Sequence, residues 1–454
     1  MSSDGPDPPT TPDPPEPSDR TPPAVGSDAT SSREPEPGRD ASGSKAGSGP
    51  KRISWRRNLY ALWAAQMLAI IGFSLRIPFQ PFFLGDLGIE SIEAQALWSG
   101  IILAAGAGVM AISAPIWGSV ADKYGRKPML MRAQFSSFFT IGLMVFATEA
   151  WHLLGLRLVE GALAGTVTAA TALVAASMPK DRLGFGLGMI QTAVFSGSAL
   201  GPLLGGVLAD LIGYRASFAA SAVMLLASGL ITLFLVQERF TPITRAADAP
   251  KQISMWKIVA APALLGLVMV MLAVRFSAAA VQPITPLFVA EISNQMGNIA
   301  TTAGIAMGVL GLTSAISSVF LGRLGDKRGH RKILLICMAG SGLVYLPMAA
   351  SQHPWQLIAL QALFGIFAGG TIPAANALIA NRTDPERRGA IYGVVAAASS
   401  VGGFLGPLLG AGVAAAFGFR ATFLLTGLVL LAVTAVVVNT ARRARDRESS
   451  PSPA

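Results

Sequence analysis

Gly118-Ser-Val-Ala-Asp122-Lys-Tyr-Gly125-Arg126-Lys127 returns 204 residues later as Gly322-Arg-Leu-Gly-Asp326-Lys-Arg-Gly329-His330-Arg331. The echo does not stand alone. Gly161 and Gly165 recur as Gly365 and Gly369, and Gly201-Pro202-Leu-Leu-Gly205 recurs as Gly406-Pro407-Leu-Leu-Gly410. Gly213-Tyr-Arg215-Ala-Ser-Phe218 recurs as Gly418-Phe-Arg420-Ala-Thr-Phe423, again at a shift of 205. Agreement in four places at shifts of 204 to 205 makes the chain a parallel duplication. Around these motifs the sequence is apolar in long runs, such as 333–350. A run of roughly 20 apolar residues crosses the hydrocarbon core as a helix. Of 454 residues 52% are hydrophobic and 13% charged, against about 25% charged in a soluble domain.

Working outward, helices are expected at 57–84, 96–121, 129–148, 151–178, 184–211 and 215–237 in the first half. The second half should hold them at 258–290, 300–322, 332–351, 354–380, 388–416 and 419–440. The expected fold is an all-α membrane protein of twelve transmembrane helices, arranged as two pseudo-symmetric six-helix bundles, 51–237 and 258–441. A cytoplasmic linker, 238–257, joins them, and a cytoplasmic tail, 442–454, follows. Residues 1–50 are rich in Pro, Ser, Gly and Asp and hold no aromatic residue. They cannot bury enough apolar surface to offset their ordering entropy and read as a disordered cytoplasmic tail.

The basic residues orient the chain, because lysine and arginine favour cytoplasmic loops. The stretch before the first helix, the even-numbered loops and the end of the chain hold 26 of the 35, with Arg132 counted in the loop after the second helix. The odd-numbered loops hold only Arg215 and Arg420. Both termini are therefore expected in the cytoplasm. The net charge of +10 is explained by these loops, so no nucleic-acid partner is expected. The partners are the lipid bilayer and a small-molecule substrate.

Further motifs sit inside the apolar runs. The fourth helix carries Arg157-Leu-Val-Glu160-Gly161, and the fifth Gly197-x-x-x-Gly201-Pro202-x-x-Gly205-Gly206. The first carries Phe73-Ser-Leu-Arg76-Ile-Pro78-Phe-Gln80-Pro81. With the Gly118–Lys127 loop, these make residues 55–441 resemble the major facilitator superfamily, and within it the twelve-helix drug:proton antiporters. The resemblance implies a cytoplasmic latch at Gly118, Asp122, Gly125, Arg126 and Lys127, with Asp326 and Gly329 as its counterpart. Asp122 is expected against a helix N-terminus near Arg388, where a carboxylate gains roughly 0.3–1 kcal/mol. Gly118 should allow close packing and Gly125 a tight turn. The fifth-helix pattern Gly197, Gly201, Pro202, Gly205, Gly206 implies antiport, and its glycines also offer a flat face for helix contact. Arg157 matches an arginine associated with proton transfer. Glu160 departs from the family, which has Gln or an apolar residue there, and Arg76 is also unexpected.

Ionisable groups deep in a membrane helix are costly and are functional candidates. Four are expected inside helices: Arg76, Arg157, Glu160 and Arg275. At a rise of about 1.5 Å per residue, Arg76 lies roughly 12 Å and Glu160 roughly 14 Å from the outer end. Glu160 is thus expected to pair with Arg76 or Arg157, the latter on the same helix face. Proton coupling is assigned to Glu160, Arg157 and Arg76. Three arginines against one glutamate leave the cavity near +2, which suits anionic or neutral amphiphiles. Its wall is expected to include Arg76, Arg275, Phe73, Gln80, Gln282, Gln361 and Asn376.

No Walker-type loop is present, and His152, His330, His353 and Cys337 are scattered, so neither an ATP-driven pump nor a metal site nor an enzyme is expected. The reading is a monomeric, multi-pass carrier of the inner or plasma membrane, without a cofactor. A proton gradient drives it to export small amphiphilic drugs or metabolites by alternating access. A nutrient symporter or facilitator of the same fold is the alternative. A transport-dead sensor and a membrane enzyme rank behind it.

Overall fold

The computed structural model describes residues 55–179, 182–238, 240, 262–293, 297–382 and 388–449. The expected 1–50 tail, and the linker apart from residues 238 and 240, lie outside the described residues. The helices are α1 (Trp55–Leu75), α2 (Gln80–Asp86), α3 (Ile92–Tyr124), α4 (Arg126–Met144), α5 (Ala150–Ala162), α6 (Thr166–Ser177), α7 (Leu183–Ile212) and α8 (Tyr214–Leu235). The second half has α9 (Pro262–Val281), α10 (Thr285–Ile292), α11 (Ile299–Arg328), α12 (His330–Ala349), α13 (Pro354–Arg382), α14 (Arg388–Phe417) and α15 (Phe419–Ser449). Joining α1 to α2, α5 to α6 and α9 to α10 makes twelve spans, so three helices expected to be continuous are interrupted. Ten spans are long and apolar enough to cross a membrane, or eleven with the bent pair α9–α10. The span left over is α4, whose Arg126, Lys127 and Arg132 dilute its apolar run. Arg132, counted above with a loop, stands inside it.

Proline explains two of the interruptions. Proline has no amide donor and its ring clashes with the preceding turn. Pro78 and Pro81 flank the start of α2, and Pro283 and Pro286 stand 205 residues later at the start of α10, where the span bends by 44°. The duplication also reappears as contacts. Phe83 and Phe218 have ring centroids 5.1 Å apart, as do their counterparts Phe288 and Phe423. Arg215 and Arg420 lie over Phe83 and Phe288, and their guanidinium groups donate to the carbonyls of Val145 and Ala349. Gly213 and Gly418 share a φ of +83°, a left-handed turn that glycine adopts without strain.

Each bundle has its own aromatic core, and the two meet at the end away from the basic loops. There Phe82 packs against both cores, and Ala300 of α11 joins the core of the first bundle. Close approach depends on small residues, because helices in lipid associate by packing. A Cβ added at Gly206 would fall on the Ala300 carbonyl, at Gly304 on the Pro202 carbonyl, and at Gly100 on Ala411. The Asp210 carboxylate of α7 also accepts from the Thr301 amide in the first turn of α11 (2.7 Å), a carboxylate at the positive end of a helix. Toward the basic end the same helices part. Added Cβ atoms at Gly118, Gly184, Gly188 and Gly322 would meet nothing within 4 Å. Gly118, expected at a close packing, therefore stands in the open. The close contacts between the bundles through Gly100, Gly206, Gly304 and Asp210 lie at the end away from the basic loops.

Within the first bundle, Gly197, Gly201 and Gly205 bring α7 onto α1, against Ile70, Ser74 and the Leu75 carbonyl. Gly205→Ala would overpack this contact and should cost about 1–3 kcal/mol. Gly188→Ala should be neutral. Thermal melts of the two purified variants check the contrast.

Candidate functional site

Arg76 occupies the four-residue break between α1 and α2, not a helix interior as expected. The chain turns there because Ile77 bonds back to Ser74 (3.1 Å) and Gln80 to Arg76 (2.9 Å), with Pro78 unable to continue the ladder. The turn lets the Arg76 side chain reach α5. Its Nη1 and Nη2 donate to Glu160 Oε2 and Oε1, both at 2.8 Å, an end-on, two-pronged fork. Arg157 Nη1 lies 2.7 Å from the same Oε1. Glu160 therefore pairs with both arginines. It is 2% exposed and Arg76 is 4%, and Glu160 is the only buried carboxylate among the described residues. Arg157 stays one fifth exposed and faces the cavity. Space for it comes from Gly106 of α3, where a Cβ would collide with the guanidinium, and Gly161 in turn packs on the Gly106 backbone.

The cavity between the bundles holds about 830 Å³, within the range that takes drug-sized ligands. Arg157, Glu160, Arg275, Gln282 and Gln361 line it. Arg76 backs the wall from behind Glu160. Arg275 is exposed and has no ion pair or hydrogen bond among the described residues. Arg76 itself does not line the cavity, and three further expected wall residues are elsewhere. Phe73 packs on the first core, Gln80 sits half-buried in α2, and Asn376 is exposed six residues from the end of α13. Tyr345 and Phe364 add an aromatic wall, their rings 4.6 Å apart. The repeat shows how unequal the two walls are. Arg157 and Glu160 correspond to Gln361 and Phe364 at a shift of 204, and Arg76 to Val281 at 205.

At the basic end, Gly125 has φ +97°, the turn expected of it, and its counterpart Gly329 has φ +92°. Asp122 is exposed and makes no hydrogen bond or ion pair among the described residues. Its expected neighbour Arg388 has a side chain outside the described residues. The helix N-terminus that does receive a carboxylate is that of α4. Glu238 accepts from the amides of Arg126 (2.8 Å) and Lys127 (2.7 Å), and Lys127 Nζ donates to the Leu233 carbonyl (2.9 Å). Glu238 went unnoticed because nothing local distinguishes it from other linker charges. In the second half Asp326 contacts His330 at 3.1 Å instead.

The family model described as Major Facilitator Superfamily matches residues 62–294 and 270–454. The chain is 37% identical over 379 residues to the multidrug resistance protein MdtG of Dickeya zeae, covering 84% of this chain and 93% of that one. It is 34% identical over 381 residues to a multi-drug resistance efflux pump PmrA homolog of Lactococcus lactis, covering 84% and 94%. A crystal structure of a bacterial homolog of the human lysosomal transporter Spinster, inward-facing and occupied, superposes with a TM-score of 0.72 at 15% identity, over 90% of this chain and all of that one.

Removing one partner of a buried ion pair strands a charge and costs roughly 3–5 kcal/mol. Arg76→Met should destabilise on that scale, and adding Glu160→Gln should recover part of the loss. Melting of the single and double variants measures the recovery.

Proposed function

The chain belongs to the major facilitator superfamily, a multi-pass membrane transporter and not an enzyme, and we propose that it exports small amphiphilic molecules in exchange for protons. The observation that carries this reading is the buried Glu160 carboxylate, held by two arginines at the cavity wall. The multidrug efflux names of its relatives support the direction and substrate class. In this reading the basic end is cytoplasmic, as are both termini, in the inner or plasma membrane, and the chain acts as a monomer. The two bundles, 51–237 and 258–441, rock about the cavity.

With Glu160 ionised, Arg157 is pinned against it and the cavity is clear. A proton on Glu160 removes that partner, and the freed guanidinium swings into the space a ligand would fill. Proton-loaded and substrate-loaded carriers then alternate. Arg76 keeps the carboxyl at the depth where this exchange works. Gly197, Gly201 and Gly205 lock α7 to α1 within the first bundle, Pro202 and Gly206 give α7 the close contacts with α11 on which the bundles move, and the Gly118–Lys127 loop, with Asp326 and Gly329, gates the cytoplasmic end.

The sign of the local field limits the substrate. Protonating Glu160 adds positive charge to a wall that already carries Arg157 and Arg275. A cation is repelled throughout, and a neutral body competes with the freed Arg157. An anion is drawn more strongly once the proton is bound, so linkage makes it a co-transported ligand. Neutral amphiphiles therefore suit exchange best. The unpaired Arg275 favours a second reading, proton-coupled co-transport of anions on the same fold.

Purified protein in liposomes with a trapped pH dye separates these readings. Neutral amphiphiles added on one side should drive protons the opposite way, and Glu160→Gln should abolish that movement while the protein stays folded. Protons that travel with an added anion would replace exchange by co-transport. Substrate flux with no proton movement would refute both.

A further inference from the structure

The fourth span breaks without proline. Gly165, at φ +130°, separates α5 from α6 beside the cavity that Gly161 and Ala164 line, and the carbonyls of Ala162, Leu163 and Ala164 leave the helical ladder and need partners inside the protein. Side chains of two other helices take them up. Ser113 Oγ donates to the Gly161 carbonyl (3.4 Å) and Trp117 Nε1 to that of Ala162 (2.7 Å). Arg132 Nη2 donates to the carbonyls of Leu163 (3.3 Å) and Ala164 (3.0 Å). The Arg132 guanidinium carbon lies over the Trp117 ring, 3.5 Å from its centroid, and the side chain makes no ion pair among the described residues. Its charge is balanced by the negative end of α5 and by the indole face.

The second bundle is an internal comparison. Leu321 stands where Trp117 would be and Ile336 where Arg132 would be, at the shift of 204. Only the serine is kept, Ser317 bonding to the Ile366 carbonyl, and α13 runs unbroken from Pro354 to Arg382. The break and its two large partners occur together or not at all.

Their placement suggests a purpose. Trp117 immediately precedes Gly118 on α3, and Arg132 follows Arg126 by six residues on α4, so they hold both arms of the basic hairpin. What they grip is the end of α5, whose last six residues include Arg157 and Glu160. We propose that Trp117 and Arg132, with Ser113, are positioning residues that transmit the state of Glu160 to the gate hairpin at the basic end. A shift of α5 when Glu160 is neutralised moves the carbonyls they hold, and the hairpin follows. The idea rests on the reading above that Glu160 titrates during transport.

Spin labels at Ser119 on α3 and Arg323 on α11, in a Cys337→Ala background, report the opening of the basic end of the full chain. In the otherwise unmodified protein, Glu160→Gln should change the ratio of open to closed distances. In Trp117→Phe or Arg132→Gln that change should shrink about five-fold or more, the low end of measured couplings between sites. Arg132→Lys, which keeps the charge but loses the fork, should fall between. Trp117→Phe keeps the ring and removes only the donor, so it decides the matter where Arg132→Gln fails to fold. An undiminished response in Trp117→Phe overturns the clasp and leaves Glu160 as the proton site. No response to Glu160→Gln in the unmodified chain overturns both.

Discussion

Glu160 carries a carboxylate into a region where an unpaired charge costs several kcal/mol at least, and it stays there only because Arg76 and Arg157 bind it on both oxygens. Much of the first bundle follows from meeting that demand. The first span is broken at Pro78 so that Arg76 points sideways into the bundle. Gly106 gives up its side chain so that Arg157 fits, and Gly161 lets α3 and α5 touch. In hydrocarbon each freed carbonyl and each charge needs a partner inside the protein, so a break in one helix dictates residues on its neighbours.

The duplicated halves divide the work. What both halves keep is mechanical: the Pro-x-x-Pro breaks of the first and seventh spans, the Gly-Pro helices, the left-handed glycine turns, and the arginines that tie Val145 and Ala349 to the aromatic cores. What only the first half keeps is the ion-paired triad, while the second half brings Arg275 to the cavity. Val281, Gln361 and Phe364 replace Arg76, Arg157 and Glu160, so the second wall sets Tyr345 and Phe364 beside Gln361 where the first has its buried ion pairs. A mobile scaffold needs two similar halves. A proton site needs one asymmetric point at which binding can be felt.

The sequence made the duplication and the span count legible, because long apolar runs and repeated glycines report directly on lipid contact and close packing. It also made the pairing of Glu160 legible, since helical rise places Arg76 and Glu160 at one depth. It did not reveal that Arg76 lies in a break, because proline within a membrane run is compatible with an unbroken helix. Arg132 fell inside the expected 129–148 helix but was counted with the loop charges before it, because a basic residue near a helix end reads as a loop charge, and its half-buried side chain was missed. Glu238 carried no local pattern, and its role depends on where α8 delivers it. Phe73, Gln80 and Asn376 were placed in the cavity by residue type alone, and only the rotation of each helix says which way such a residue faces. Gly118 was expected at a close packing from its motif alone, and in the structure it faces open space.

Proton exchange at Glu160 is the central claim, and infrared difference spectroscopy of the protein in lipid reads that carboxyl directly. A pH step across the working range should produce a protonated-carboxyl band that is absent in Glu160→Gln, and a neutral substrate should shift its midpoint downward. A Glu160 carboxylate that stays ionised at every pH the folded protein tolerates, with and without substrate, would contradict the account and leave the triad as a fixed strut between helices.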